Sequence, residues 1–421
     1  MCVVVVALSA GMFILEFVFN SSSEKYKEKS LVMNKETTLQ KGTVKLQLLL
    51  LIIPIAVFVQ LILLPRLPQK YFYDSSYILS IFLGQRAGAG GWAFTANFFK
   101  LLDWFHFTTL SEWSFLLSSI FTLYLLISLM KQPAFTVPDY LLVFCVTALL
   151  NIYVFRMSKE LLQYIIFILA AGFIRSRLEY KIKVFIIGVL LAAEGAWFRS
   201  YFYLICVLFL FFCFLLNLKA VANKRRLIVL FSISCIAGLF ALKYISYENY
   251  MQLITIRDYL TISRIDNADA NTLIVNLFTT NGSLLLFIAN YIINLFRILF
   301  PLELIGKGAF YLAFVFFQLL VTAKIIVVCV GEKEALFSPS DGINQENRLQ
   351  IGFCFIAAYY LVSIIFEPDF GSFIRHETAF CPILFDFFLL KSAKIPAVSI
   401  SRALPSRYIK DRSKQFIRSP I

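Results

Sequence analysis

The chain has 421 residues, of which 60% are hydrophobic and 15% charged, and its formal net charge is +14. Soluble domains carry about a quarter charged residues, so this composition excludes a string of soluble domains and points to a polytopic membrane protein. In so apolar a chain, the surplus of Lys and Arg is better suited to fixing loop orientation than to binding nucleic acid.

Apolar runs follow one another at 2–19, 44–64, 113–130, 137–155, 161–174, 182–198, 201–218, 227–246, 283–300, 308–330, 351–366 and 378–390. A helix needs roughly 20 residues to cross the hydrocarbon core. The shorter runs must borrow flanking residues or thin the bilayer locally. The first run has no basic flank ahead of it and lysines behind it, which predicts an uncleaved span with its N-terminus outside. Basic clusters at 20–45, 175–183 and 219–226 and in the tail from 391 are expected in the cytoplasm. Alternation satisfies the first three. It would put the tail outside if all twelve runs crossed.

One run must therefore stay on one side, and 283–300 is the best candidate. It holds Asn290, Asn294 and Arg297 near helical spacing, and Pro301 follows. Such groups are costly in lipid, so an interfacial or re-entrant helix on the outer side is expected. The prediction is an all-α bundle of about 11 spans over residues 1–390. Its outer segments lie at 65–112 and 247–307, and a basic cytoplasmic tail occupies 391–421.

Smaller patterns add little. The eight cysteines fall in or beside apolar runs, with none in a CxxC pair, and read as small core residues. GQRAGAGG at 84–91 lacks the GK[ST] ending of a phosphate loop and reads as a flexible turn. The in-span charges Glu16, Glu194 and Lys324 are expected to snorkel to helix ends or cap a cavity. Neither a metal site nor a cofactor motif is evident.

The outer face of this topology collects the unusual charges. Arg156, Lys159 and Glu160 stand at one helix junction, with Ser158 placed to cap it. Arg199 lies between two spans beside Tyr201. Arg257, Asp258, Arg264, Asp266 and Asp269 occur together, as do Arg297, Glu303 and Lys307. FEPDFGSFIRHETAF at 366–380 brings Glu367, Asp369, Arg375 and His376. Each has an ordinary reading: snorkelling for Arg199, a helix-end salt bridge for Arg156, Lys159 and Glu160, a solvated pair for Arg264 and Asp266, an interface hydrogen bond for His376. Their gathering on one face raises the functional reading. Cations at helix ends bind anions, and Arg suits bidentate phosphate contact. A pyrophosphate leaving group needs positive charge, and an acceptor hydroxyl needs a base. His376, Glu367, Asp369, Glu160 and Asp266 are candidates for that base.

The segments FRMSKELLQY (155–164), FRSYFYL (198–204), SRIDNADANTLIVN (263–276), NLFRILFPLELIGKG (294–308) and EPDFGSFIRHETAFCPILF (367–385) resemble, in that order, a Wzy-type bacterial polysaccharide repeat-unit polymerase of the O-antigen or capsule class. The resemblance implies a GT-C-like bundle in the bacterial cytoplasmic membrane that joins polyprenyl-pyrophosphate-linked oligosaccharides at the outer face. A flippase and a chain-length regulator would be its partners, with membrane lipid around it and no nucleic acid. Carried onto this sequence, the catalytic set is His376, Arg375, Arg199 and Arg156. The substrate-binding set is Lys159, Glu160, Tyr201, Arg264, Asp266, Arg297, Glu367 and Asp369. The long paired arginine-rich outer loops of some members are not obvious here. Two rivals stay open. A GT-C-type glycosyltransferase or ligase would favour an acidic pair in the first outer loop, where only the separate Asp74 and Asp103 stand. A lipid-linked oligosaccharide flippase would favour mid-span charges and two related halves.

Overall fold

The computed structural model describes residues 44–132, 135–217, 243–265, 272–308, 311–332, 336 and 345–389. Every regular element among them is helical, apart from one antiparallel bridge between Leu273 and Asp369. In chain order they are α1 (Val44–Arg66), α2 (Tyr73–Phe82), α3 (Gly90–Leu101), α4 (Leu110–Met130), α5 (Val137–Tyr153), α6 (Lys159–Arg175), α7 (Tyr180–Trp197) and α8 (Phe202–Asn217). There follow α9 (Tyr247–Ile265), α10 (Leu284–Leu299), α11 (Leu312–Gly331), α12 (Gln345–Phe366), α13 (Phe370–Ala379) and α14 (Cys381–Leu389). The runs at 2–19 and most of 227–246, with the tail from 391, lie outside the described residues.

Among the described residues, four helices are long and apolar enough to cross a membrane: Val44–Arg66, Leu110–Met130, Leu312–Gly331 and Asn347–Phe366. The described residues are thus those of a helical membrane protein. Helix starts follow local chemistry. Thr109 and Glu112 close a capping box on α4, and Thr136 and Asp139 one on α5. Ser158 Oγ accepts from Leu161 N at 3.2 Å and caps α6 as expected. Helix α13 stops at Phe380, and α14 restarts with Pro382 in its first turn, where the missing N–H costs no helical bond. The apolar run at 378–390 is therefore the end of one short helix and the whole of another.

At the centre, α6 packs on α7 and α14, α12 packs on α8 and α14, and α13 lies across α5 and α6. Helices α6 and α7 are antiparallel neighbours, so Lys159 and Trp197 share one end of the bundle and Arg175 and Tyr180 share the other. At that second end Arg175 Nε meets buried Asp386 at 3.1 Å. Fifteen residues at ~1.5 Å rise separate Glu160 from Arg175 along α6, so the two ends lie about 22 Å apart.

Two expectations are corrected here. The segment after α1 is no open loop, because α2 and α3 form a helical hairpin. Its GQRAGAGG turn is exposed over residues 84–90. Gly84 and Gly90 have φ of 74° and 55°, and a Cβ on Gly88 would stand 2.7 Å from Ile81 Cδ1. Glu194 does not snorkel: it is fully buried, and neither carboxyl oxygen has a hydrogen-bond partner. Lys324 is paired, its Nζ 2.5 Å from Asp139 Oδ1.

Candidate active site

The site is assembled where α6 begins, α7 ends and α13 crosses them. Residue Glu160 is placed by the Ser158 cap in the first turn of α6. There its carboxylate also sits at the positive end of the helix dipole. Arg199, just past α7, donates from Nη1 to Gln163 Oε1 at 2.7 Å and from Nη2 to Glu160 Oε1 at 2.8 Å. The same Nη2 lies 2.6 Å from His376 Nε2. On the other side of the imidazole, Nδ1 lies 2.6 Å from Glu367 Oε1.

These contacts fix the histidine tautomer. A guanidinium only donates and a carboxylate only accepts. Nε2 must then present its lone pair to Arg199, while Nδ1–H donates to Glu367. Nε2 is then the acceptor face of the ring. Glu367 is held in turn by Tyr201 OH at 3.0 Å and by Ser372 Oγ at 2.8 Å. Burial alone would raise its pKa, but His376, Arg199 and Ser372 outweigh burial and hold it at about 2. Glu160 behaves likewise: burial is overcome by Arg375, His376 and Arg199, and it lies well below the ordinary carboxylate range.

Arg375 joins this centre from one residue before His376. Its Nη1 donates to Asp74 Oδ2 at 3.1 Å, and its Nε stands 3.3 Å from Glu160 Oε1 without hydrogen-bond geometry. Two further cations lack any such partner. Arg156 is 3% exposed, and its Nε and Nη1 have no hydrogen-bond partner. Among the described residues it forms no ion pair, and its guanidinium faces the Phe72 ring at 5.2 Å. Burial pulls its pKa down to about 10, which leaves it charged at neutral pH. Lys159 also has no hydrogen bond or ion pair among the described residues, and its Nζ lies over the Trp92 ring at 4.2 Å.

The arrangement brings together Arg156, Lys159, Glu160, Arg199, Tyr201, Glu367, Arg375 and His376, eight of the twelve residues expected from sequence. Four cations face the carboxylates of Asp74, Glu160 and Glu367 around His376. The other four differ. Asp369 accepts from Ser372 N at 2.7 Å as the N-cap of α13, so its Oδ1 has a structural task. Arg297 forms its own cluster with Glu303 and Asn294, apart from His376. The Arg264 side chain and Asp266 lie outside the described residues.

Two members went unnoticed in the sequence as site residues. Asp74 was visible as the only acid between residues 65 and 102, but nothing local ties it to a helix three hundred residues on. Gln163 had no signal beyond falling one turn after Glu160. Among the described residues, no three His, Cys, Asp or Glu side chains converge as a metal site requires. No family model matches the chain, and neither a curated protein nor a solved structure matches it significantly.

Proposed function

We propose that this protein is a glycosyltransferase of the outer face of the bacterial cytoplasmic membrane. In this reading it polymerises oligosaccharide repeat units carried on polyprenyl pyrophosphate, in a GT-C-like bundle of about 11 spans. The observation that carries the reading is Arg156: a buried guanidinium with no ion pair among the described residues and no hydrogen-bond partner for Nε or Nη1, beside Lys159, Arg375 and the N-terminus of α6. An unpaired buried cation is expensive, and a phosphate oxygen is the partner its planar donors fit.

The chemistry follows from the neighbouring dyad. Arg156, Lys159 and Arg375 hold the donor pyrophosphate. Arg199 leaves His376 Nε2 to meet the phosphate charge, which frees the imidazole lone pair. The acceptor hydroxyl oxygen attacks the anomeric carbon, the bond from that carbon to the phosphate oxygen breaks, and the pyrophosphate leaves with the electron pair. His376 Nε2 takes the hydroxyl proton, and Glu367 stabilises the imidazolium through Nδ1–H. A second reading, a GT-C-type transferase or ligase using the same donor class, gains from Asp74. That acid of the first outer segment reaches Arg375.

The test uses full-length protein in nanodiscs and a host lacking the gene. Wild type is expected to bind inorganic pyrophosphate, and Arg156→Ala to weaken that binding at least about tenfold, or about 1.4 kcal/mol. The deletion host is expected to accumulate single repeat units on the lipid carrier. Complementation with Arg199→Ala or Arg375→Ala should not restore long chains at normal protein level. Full-length polymer from both variants would overturn the anion site, and loss of all surface glycan on deletion would favour transport instead.

A further inference from the structure

The hairpin of α2 and α3 is pressed onto the rim of this site. A Cβ on Gly91 would stand 3.2 Å from Trp197 O and 3.4 Å from Lys159 Cδ, so glycine eases the close approach of α3. The approach sets two aromatic surfaces beside Lys159. Trp92 carries the Lys159 ammonium and is held edge-on by Tyr77, with ring centres 5.5 Å apart. Trp197, two residues before Arg199, is stacked on Phe94 at 5.3 Å and 13°. Phe198 braces Phe94 from the side at 5.4 Å and 86°. Trp92, Phe94 and Trp197 nevertheless remain 37%, 38% and 48% exposed.

Membrane-interface tryptophans do not need such locking, since an amphipathic ring at headgroup level gains from its position alone. Trp104 fits that description: it is 79% exposed and has no ring contact among the described residues. Trp92 and Trp197 differ in being half open, braced by neighbouring rings and close to Lys159, a cation of the anion site. A flat ring face is electron-rich. It suits the face of a pyranose that presents C–H groups, whose hydroxyls then point outward to water and charged side chains. We propose that Trp197, backed by Phe94, and Trp92 form a saccharide subsite. It stacks the sugar nearest the phosphate held by Arg156 and Lys159. This inference rests on the functional reading above, and it names which part of the substrate the rim takes.

The experiment uses full-length protein in nanodiscs and, as probes, inorganic pyrophosphate and the lipid-linked oligosaccharide extracted from the deletion host. Trp197→Ala is expected to leave pyrophosphate affinity unchanged and to weaken oligosaccharide affinity about tenfold, with Trp197→Phe recovering most of it. Fluorescence gives an independent readout, taking the difference between wild type and Trp197→Phe as the Trp197 signal. Acrylamide should quench that signal, and phospholipids brominated in their acyl chains should not. Quenching by the brominated lipid, or unchanged oligosaccharide affinity in Trp197→Ala, would overturn the subsite and leave the anion site standing. Failure of wild type to bind pyrophosphate would sink the functional reading instead, whatever the quenching shows.

Discussion

Arg156 and Arg297 are both arginines of segments expected at the outer face, and they are used in opposite ways. Arg297 donates from Nε and Nη2 to the two oxygens of Glu303, at 2.9 and 2.8 Å, and from Nη1 to Val275 O at 2.6 Å. Its donors are committed within one loop and helix. Arg156 is more deeply buried, and its Nε and Nη1 have no acceptor among the described residues. Residue type and location along the chain do not separate the two. Unfilled hydrogen-bonding capacity does, because a buried donor without a partner costs free energy that an incoming ligand can recover.

The strongest way to break this contrast is at the dyad. Glu367→Ala removes the partner of both His376 and Tyr201 and leaves Arg199 beside one carboxylate fewer. Transfer activity should fall at least about a thousandfold. Unfolding in detergent should show a loss of about 3–5 kcal/mol, as when one member of a buried pair is removed. Arg156→Ala should behave differently. Activity should drop about a hundredfold or more, as when one preorganised charge contact is removed, while the melting temperature holds or rises because an unpaired buried charge has gone. A large fall in stability would show that Arg156 is a structural residue.

A third comparison is available one residue from His376. Glu377 is fully buried, and burial pushes its pKa up to about 8 despite hydrogen bonds from Tyr360 and Gln318. A carboxyl whose folded pKa is raised destabilises the fold progressively as pH rises from its ordinary value of 4.5 to about 8. Glu377→Gln should therefore add about 3 kcal/mol at pH 7 and flatten the stability profile over that window. Glu367 has the opposite sign: its pKa is lowered, so its contribution is full above 4.5 and is lost as pH falls toward about 2. Stability measured from pH 3 to 9 with both variants checks the two directions together. The smallest effect belongs to Arg297→Ala. It should cost about 1 kcal/mol for a partly exposed pair and leave transfer within about twofold of wild type.

Much of the helical architecture was legible in the chain. The runs at 113–130, 137–155, 161–174, 182–198, 201–218, 308–330 and 351–366 became α4, α5, α6, α7, α8, α11 and α12, within a few residues. Hydrophobic runs bounded by Thr, Ser and Asp caps are local signals, and local signals survive folding. The hairpin α2–α3 was missed because its helices are short and their apolar content is diluted by Gly and Ser. The Asn290 and Asn294 pattern did mark one face of α10. Both asparagines are buried against the 273–280 loop, while Leu285, Ile292 and Phe296 are exposed.

By itself, the sequence determined that this is a helical membrane protein. It also marked the short charged junctions, near residues 156, 199 and 375, from which any site would be built. Apolar length and charge placement are properties of contiguous segments, and they need no tertiary information. Only the folded chain decided which charges neutralise one another. It set Asp74 against Arg375, closed Glu367 and Arg199 around His376, and left Arg156 Nε and Nη1 without an acceptor among the described residues. Pairing between side chains depends on distances of a few ångströms across helices far apart in the chain, and at that range the Coulomb and hydrogen-bond terms that define a site are set.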